Sequence, residues 1–249
     1  GAAYRTGAGL VTLAAPEGAY RLVGGLLPEQ VHLPLPETDD GFLSPAGANL
    51  ARAALEGSAG AIIGPGLGNS ESVQRFLQDL LLSGPLATPL VIDADALNAL
   101  AQTYGWSGLL KAQAVLTPHP GEMSRLLRIS IPEIERDRIG VARRAASEWG
   151  QVVVLKGAHT TVAAPDGRIT VSPFANPALA TAGTGDVLSG IIGALMGQGA
   201  TPYDAAVAGV HIHGTAGERV RADTGDTGLL ASDLLPQIPQ AIKSMRGSR

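Results

Sequence analysis

Short apolar runs alternate with longer stretches of helical spacing along most of the chain. Leu10–Ala15, Ala59–Gly64, Pro89–Asp93, Ala114–Thr117 and Gln151–Leu155 are the short runs, and each reads as a buried strand. Between them the pattern predicts helices near Pro45–Glu56, Ser70–Leu82, Asp95–Ala101 and Pro132–Trp149, with Ser70 and Asp95 as N-caps. Fully apolar strands that alternate with helices predict a mostly parallel sheet covered on both faces. The pattern changes after Leu155. His159–Ala164 and Arg168–Ser172 flank the turn signal Pro165-Asp166-Gly167, so a β-hairpin is expected there. The small and polar stretch Ala180–Asp186 then runs straight into Val187–Met196, an apolar helix. Two further helices are expected near Pro202–Val220 and Ser232–Lys243.

No linker, composition shift or internal repeat divides the 249 residues, so a single α/β domain is expected over 1–249. Hydrophobic residues make up 45% of the chain but aromatic ones only 4%, which predicts an aliphatic core. The net charge is −4 and no basic cluster occurs, which argues against nucleic acid or a membrane surface as partner. A phosphate ligand would need local donors instead. The absence of cysteine excludes disulfides, thiolate catalysis and cysteine-held metals. No signal peptide and no apolar run long enough for a bilayer is visible, so a cytoplasmic protein is expected.

Candidate chemistry gathers where strands end. Gly183-Thr184-Gly185-Asp186 precedes the apolar helix, whose N-terminus offers unpaired N–H groups and a positive dipole end to an anion. An acid at that point fits a base that takes a proton from a hydroxyl attacking a phosphate. Gly64-Pro65-Gly66-Leu67-Gly68 follows a strand but lacks the dinucleotide fingerprint, and alone reads equally as a simple turn. Asp93 and Asp95 stand at another strand end; Asp95 reads as a cap, and Asp93 as a candidate for ordering metal-bound water. In Thr117-Pro118-His119-Pro120-Gly121-Glu122 the prolines aim His119, and Glu122 could face a hydrated magnesium ion or simply complement a helix dipole. Lys156-Gly157-Ala158-His159-Thr160 brings a point charge and a free backbone for phosphate, though His159 has no evident task. His211 and His213, two apart on a helix, cannot chelate together.

These segments together resemble the ribokinase-like superfamily, and within it the ADP/ATP-dependent NAD(P)H-hydrate dehydratase family. Arg5–Thr12, Gly64–Gly68, Ile92–Leu97, Thr117–Glu122, Leu155–Ala158 and Ala180–Asp186 carry the match across nearly the whole chain. The resemblance implies a three-layer α/β/α fold and a repair lyase. Its substrates would be the S epimer of NADH or NADPH hydrate and ADP or ATP, with magnesium. It implies Asp186 as base, the N–H groups of Gly183, Thr184 and Gly185 as an anion hole, and Lys156, Gly157, Ala158, His159, Thr160 and Gly185 at the nucleotide. Gly66, His119 and Asp186 would contact the hydrate, while Glu122 and Asp93 would serve magnesium through water. His119 stands where related sugar and thiazole kinases carry asparagine, which favours the dehydratase branch. The resemblance also implies a homotetramer, and one more strand–loop–helix unit ahead of Gly1, expected outside these residues. A small-molecule kinase and a non-catalytic nucleotide-binding module are the competing readings; a kinase would release a stable phosphate ester rather than inorganic phosphate.

Overall fold

Residues 1–25 and 28–246 are described by the computed structural model. Five residues of the expected domain, 26, 27 and 247–249, lie outside that description. The centre is a sheet whose order follows the chain: β3 (Ala61–Ile63), β4 (Leu90–Ile92), β5 (Ala114–Leu116), β6 (Val152–Leu155), β7 (Thr161–Ala163) and β8 (Ile169–Val171). The first four are parallel, and β7 and β8 add the antiparallel hairpin.

Strand alternation divides the core into two faces. Leu90, Ile92, Leu116, Val153 and Leu155 point to one side. There they meet α3 (Ala48–Glu56), α4 (Glu71–Leu82), α5 (Ala94–Gln102), α7 (Pro120–Leu127) and α9 (Arg138–Trp149). A short α6 (Trp106–Leu109) joins α5 to β5. Val91, Val115, Val152 and Val154 point to the other side, against α10 (Thr184–Gly197) and α11 (Pro202–Thr224). A third cluster ties α10 and α11 to α1 (Ala2–Thr6) and α12 (Ala231–Arg246). The expected three layers are therefore present. The second layer stays close because α10 presents glycine to the sheet: a Cβ on Gly193 would lie 2.5 Å from Ile62. Among the described residues no helix is long and apolar enough to cross a membrane.

Three expected elements come out differently. The first strand is Thr12–Pro16 (β1), not Leu10–Ala15, and it does not join the central sheet. It pairs in parallel with Val31–Leu35 (β2) through the crossover helix α2 (Glu17–Val23). The sequence pattern hid β2 because it carries Pro34, which disfavours a central strand but suits a two-stranded edge. The helix expected over Pro132–Trp149 is broken into α8 (Ile131–Arg136) and α9. Asp137 leaves helical geometry between them and accepts from Gly140 N–H at 2.8 Å, capping the second piece. Finally, Asp95 does not cap α5; Asp93 does, accepting from Ala94 N–H at 2.9 Å.

Candidate active site

Four parallel strands deliver their carboxyl ends to one edge, where open α/β sheets bind ligands. The N-terminus of α10 meets them there. The loop after β3 needs its glycines. Gly64 has φ +130°, and a Cβ on it would sit 1.7 Å from the Asp93 carbonyl oxygen. Only glycine lets the loop lie against the end of β4. Gly68 N–H donates to Asp95 Oδ2 at 2.8 Å, so Asp95 anchors this loop from the first turn of α5. Gly66 is exposed on the same loop. Ala94, between the two acids, holds φ at +49°, which costs about 1–2 kcal/mol for a residue with a Cβ. The capping bond of Asp93 fixes that turn.

Asp93 is only 1% exposed, and three donors share its carboxylate. Ala94 N–H is the first, Lys156 Nζ lies 2.6 Å from Oδ1, and Ser189 Oγ donates to Oδ2 at 2.7 Å. Lys156 Nζ is also 3.7 Å from Glu122 Oε2. One lysine just past β6 thus bridges acids that follow β4 and β5, which partly offsets the cost of burying two carboxylates.

His119 caps α7 with its ring. Nδ1 accepts from the N–H groups of Gly121 and Glu122 at 3.0 and 3.3 Å, and Glu122 Oε2 accepts from His119 N–H at 2.8 Å. This reciprocal box sets the tautomer: with Nδ1 an acceptor, the proton of the neutral ring sits on Nε2, 3.4 Å from Glu122 Oε1. Partial burial holds the His119 pKa below its ordinary value, with Lys156 and Arg125 acting the same way and Glu122 opposing. The ring is neutral at pH 7 and half-exposed.

The start of α10 is organised from behind. Gly183 is its N-cap with φ +85°. Thr184 turns its hydroxyl away from the site and donates to the carbonyls of Leu179 and Thr181 at 2.7 and 2.8 Å. Its N–H donates to Thr181 O at 3.3 Å. The expected anion hole is amended accordingly. Thr184 N–H is spent on a turn, whereas those of Gly183, Gly185 and Asp186 find no acceptor among the described residues. Gly185 brings this terminus to the lysine, since a Cβ there would lie 3.4 Å from Lys156 Nζ. Asp186 is exposed in the first turn. Its pKa is raised by loss of hydration and then by the negative charges of Asp93 and Asp95, with Lys156 opposing.

The remaining expected residues frame this centre. Lys156 N–H donates to Pro118 O at 2.8 Å, which sets the loop after β6 beside the loop after β5. Thr160 Oγ1 closes its turn on Gly157 O at 2.9 Å, and Ala158 and His159 are exposed. Two residues that sequence reasoning missed hold these loops. Arg138 donates to the carbonyls of Leu155 and Lys156 at 3.0 and 3.1 Å, yet in sequence it is one of several charges on an amphipathic helix. His213 Nε2 lies 2.9 Å from Thr184 O and donates to it; loss of hydration pushes its pKa down to about 4, so it is neutral. His211 faces away and stacks on Phe174, as the two-residue spacing required.

Among the described residues no group of three or more His, Cys, Asp or Glu could hold a metal alone. The donors do fit magnesium in the looser way expected, because that ion retains water and takes phosphate oxygens beside one or two carboxylates. Glu122 and Asp93 are oxygen donors with Lys156 already between them, which suits contact through water rather than direct ligation.

Comparison with known proteins bears on what this edge does. The family model described as NAD(P)H-hydrate dehydratase matches residues 1–240. The bifunctional NAD(P)H-hydrate repair enzyme Nnr of Moorella thermoacetica is 41% identical over 244 residues, covering 98% of this chain and 46% of the relative. The ADP-dependent (S)-NAD(P)H-hydrate dehydratase of Neisseria meningitidis is 40% identical over 178 residues, 70% of this chain and 60% of that protein. The chain spans about half the length of the first curated relatives it matches. Among solved structures, the ADP/ATP-dependent NAD(P)H-hydrate dehydratase of Bacillus subtilis, co-crystallised with ATP and Mg2+ and soaked with CoA, superposes with a TM-score of 0.80. It is 32% identical, and the match covers 98% of this chain and 84% of that one. The ribokinase-like fold expected from the motifs is the fold found.

Proposed function

Because the chain belongs to the NAD(P)H-hydrate dehydratase family, we propose that it repairs hydrated reduced nicotinamide dinucleotides. In this reading the S epimer of NADH or NADPH hydrate reacts with ADP or ATP to give NAD(P)H, inorganic phosphate, and AMP or ADP. Asp186 takes the proton of the ring hydroxyl, and the freed oxygen attacks the terminal phosphorus of the nucleotide. The N–H groups of Gly183, Gly185 and Asp186 receive the charge that grows on the transferring phosphoryl oxygens. The ring C–O bond then breaks, a ring proton is lost, and phosphate leaves where hydroxide could not. Lys156 stands beside Gly185 and supplies positive charge at the transferred group, while Gly157, Ala158, His159 and Thr160 hold the nucleotide. Gly66 and neutral His119, a donor through Nε2, orient the hydrate. When bound, magnesium neutralises charge on the nucleotide phosphates, and Glu122 and Asp93 are the residues that would hold its water. We further place the protein in the cytoplasm, as a homotetramer.

The observation that carries this reading is an acid with a raised pKa in the first turn of α10, beside unpaired N–H groups and one lysine. The test mixes the full chain with hydrated NADH or NADPH, magnesium, and ADP or ATP. Return of reduced-nicotinamide absorbance with stoichiometric inorganic phosphate is expected with at least one nucleotide. A stable phosphate ester as product would make the protein a kinase, and nucleotide binding without turnover would make it a binding module.

A further inference from the structure

A cavity of about 480 Å³ that the chemistry above leaves unused is lined by Asn69, Asn98, Ala101, Gln102 and Arg125. Chain connectivity places it beside the residues assigned to the hydrate. Asn69 follows Gly68 on the glycine loop that carries Gly66. Asn98 and Gln102 lie on α5, and Arg125 lies on α7 one turn beyond Glu122. Arg125 Nη1 is 3.8 Å from where a Cβ on Gly121 would stand, so the cavity also adjoins His119.

The lining is one cation and three carboxamides, with no carboxylate. Arg125 Nε donates to Asn98 Oδ1 at 2.8 Å, which sets the plane of the guanidinium. Among the described residues that bond is the one its side chain makes, so the terminal nitrogens are left for a ligand. Carboxamides offer donors and acceptors together, as a purine edge and a ribose require. Doubly wound dinucleotide folds, whose fingerprint this chain lacks, hold a free ribose 2′-hydroxyl with a carboxylate and accommodate a 2′-phosphate with arginine, a pairing set by ligand chemistry rather than by the fold. A guanidinium with free terminal donors matches a phosphate monoester through paired, charge-assisted bonds that a neutral ribose hydroxyl cannot return. We infer that this cavity receives the adenosine end of the dinucleotide hydrate, with Arg125 on its 2′-phosphate, so that NADPH hydrate is the preferred substrate. The inference rests on the dehydratase reading for its substrate, and on the cavity alone for its ligand chemistry.

Two measurements on the full chain separate these. In turnover, Arg125→Ala is expected to raise KM for NADPH hydrate about tenfold or more, the size of a lost charged hydrogen bond. KM for NADH hydrate, KM for ADP and kcat should stay within about twofold, because neither NADH hydrate nor ADP carries the 2′-phosphate that Arg125 holds. Arg125→Lys should fall between wild type and alanine for NADPH hydrate alone. Equal wild-type KM values for the two hydrates, or equal losses for both in Arg125→Ala, would overturn the assignment. In calorimetry, with saturating ADP filling the nucleotide site, adenosine 2′,5′-bisphosphate should bind wild type more tightly than AMP and lose that advantage in Arg125→Ala. No difference between the two ligands would overturn the site even in an active enzyme. If neither hydrate is dehydrated, the dehydratase reading fails and the calorimetric result still decides the cavity.

Discussion

Asp186 faces a conflict among its neighbours, and its chemistry depends on which side prevails. Lys156 favours the carboxylate, while loss of hydration and the charges of Asp93 and Asp95 favour the acid; the balance leaves its pKa raised. A base must be deprotonated to act, so kcat should rise with pH through a value above the ordinary carboxylate range and then level off. Asp93→Asn removes a negative neighbour and releases Lys156 toward Asp186, and both changes lower the Asp186 pKa. The acidic limb of kcat should therefore move to lower pH, as pH–rate profiles of the two proteins would reveal; a limb that stays put would take Asp93 out of the account. Asp186→Asn keeps the shape of the helix terminus but cannot accept the proton. Turnover should fall by about 10²–10⁴, the range for a lost general base. Nucleotide affinity by calorimetry should change little, since the N–H groups and Lys156 remain.

Helix α10 carries the acid, and neighbouring elements fix how it enters the site. From the sheet, Asp93 holds Ser189 one turn inside the helix; from α11, His213 holds the Thr184 carbonyl at its first residue. His213→Phe removes that donor and leaves a buried carbonyl weakly satisfied, at a cost of about 1–3 kcal/mol. The expected signature is a drop in kcat with little change in nucleotide affinity, partly restored in His213→Gln, whose amide can donate again. Unchanged kcat in the phenylalanine variant would show that α10 is aimed without the histidine. None of this was legible in the sequence. The glycines and Asp186 are a local string, and a helix N-terminus can be read from such a string. The bond from His213 spans 29 residues, and nothing in the spacing of His211 and His213 says which neighbour each will meet. Thr184 misled for the same reason, because only the turn before α10 shows that its N–H is spent. Asp93 took the cap expected of Asp95 because both stand where a cap can form, and Asp95 is drawn instead to Gly68 of the glycine loop.

At the scale of the whole molecule, one sheet buries both faces, Val91, Val115, Val152 and Val154 against α10 and α11 and Leu90, Ile92, Leu116, Val153 and Leu155 against the opposite helices. That the sheet is covered on both faces was legible, because the strand runs are apolar throughout rather than alternating. The β1–β2 unit was not, since a short, half-exposed, proline-bearing strand has no pattern to read. Packing α11 against α10 also takes His213 largely out of water, and this couples the site to stability in acid. Folded, the His213 pKa is about 4, whereas an unfolded histidine titrates near its ordinary value of 6.5. Between these values the unfolded chain binds a proton that the native state refuses. Native stability from this group is thus intact above pH 6.5 and lost as pH falls toward 4, by roughly 2–3 kcal/mol for a shift of this size. Chemical denaturation at neutral pH and near pH 4.5 should show wild type losing more stability than His213→Gln, which has no proton to bind. The direction separates this effect from Asp186, whose raised pKa makes the native state the better proton acceptor and opposes the loss. If both proteins lose the same amount, His213 is not desolvated in the native state, and the anchoring of α10 through Thr184 loses its basis.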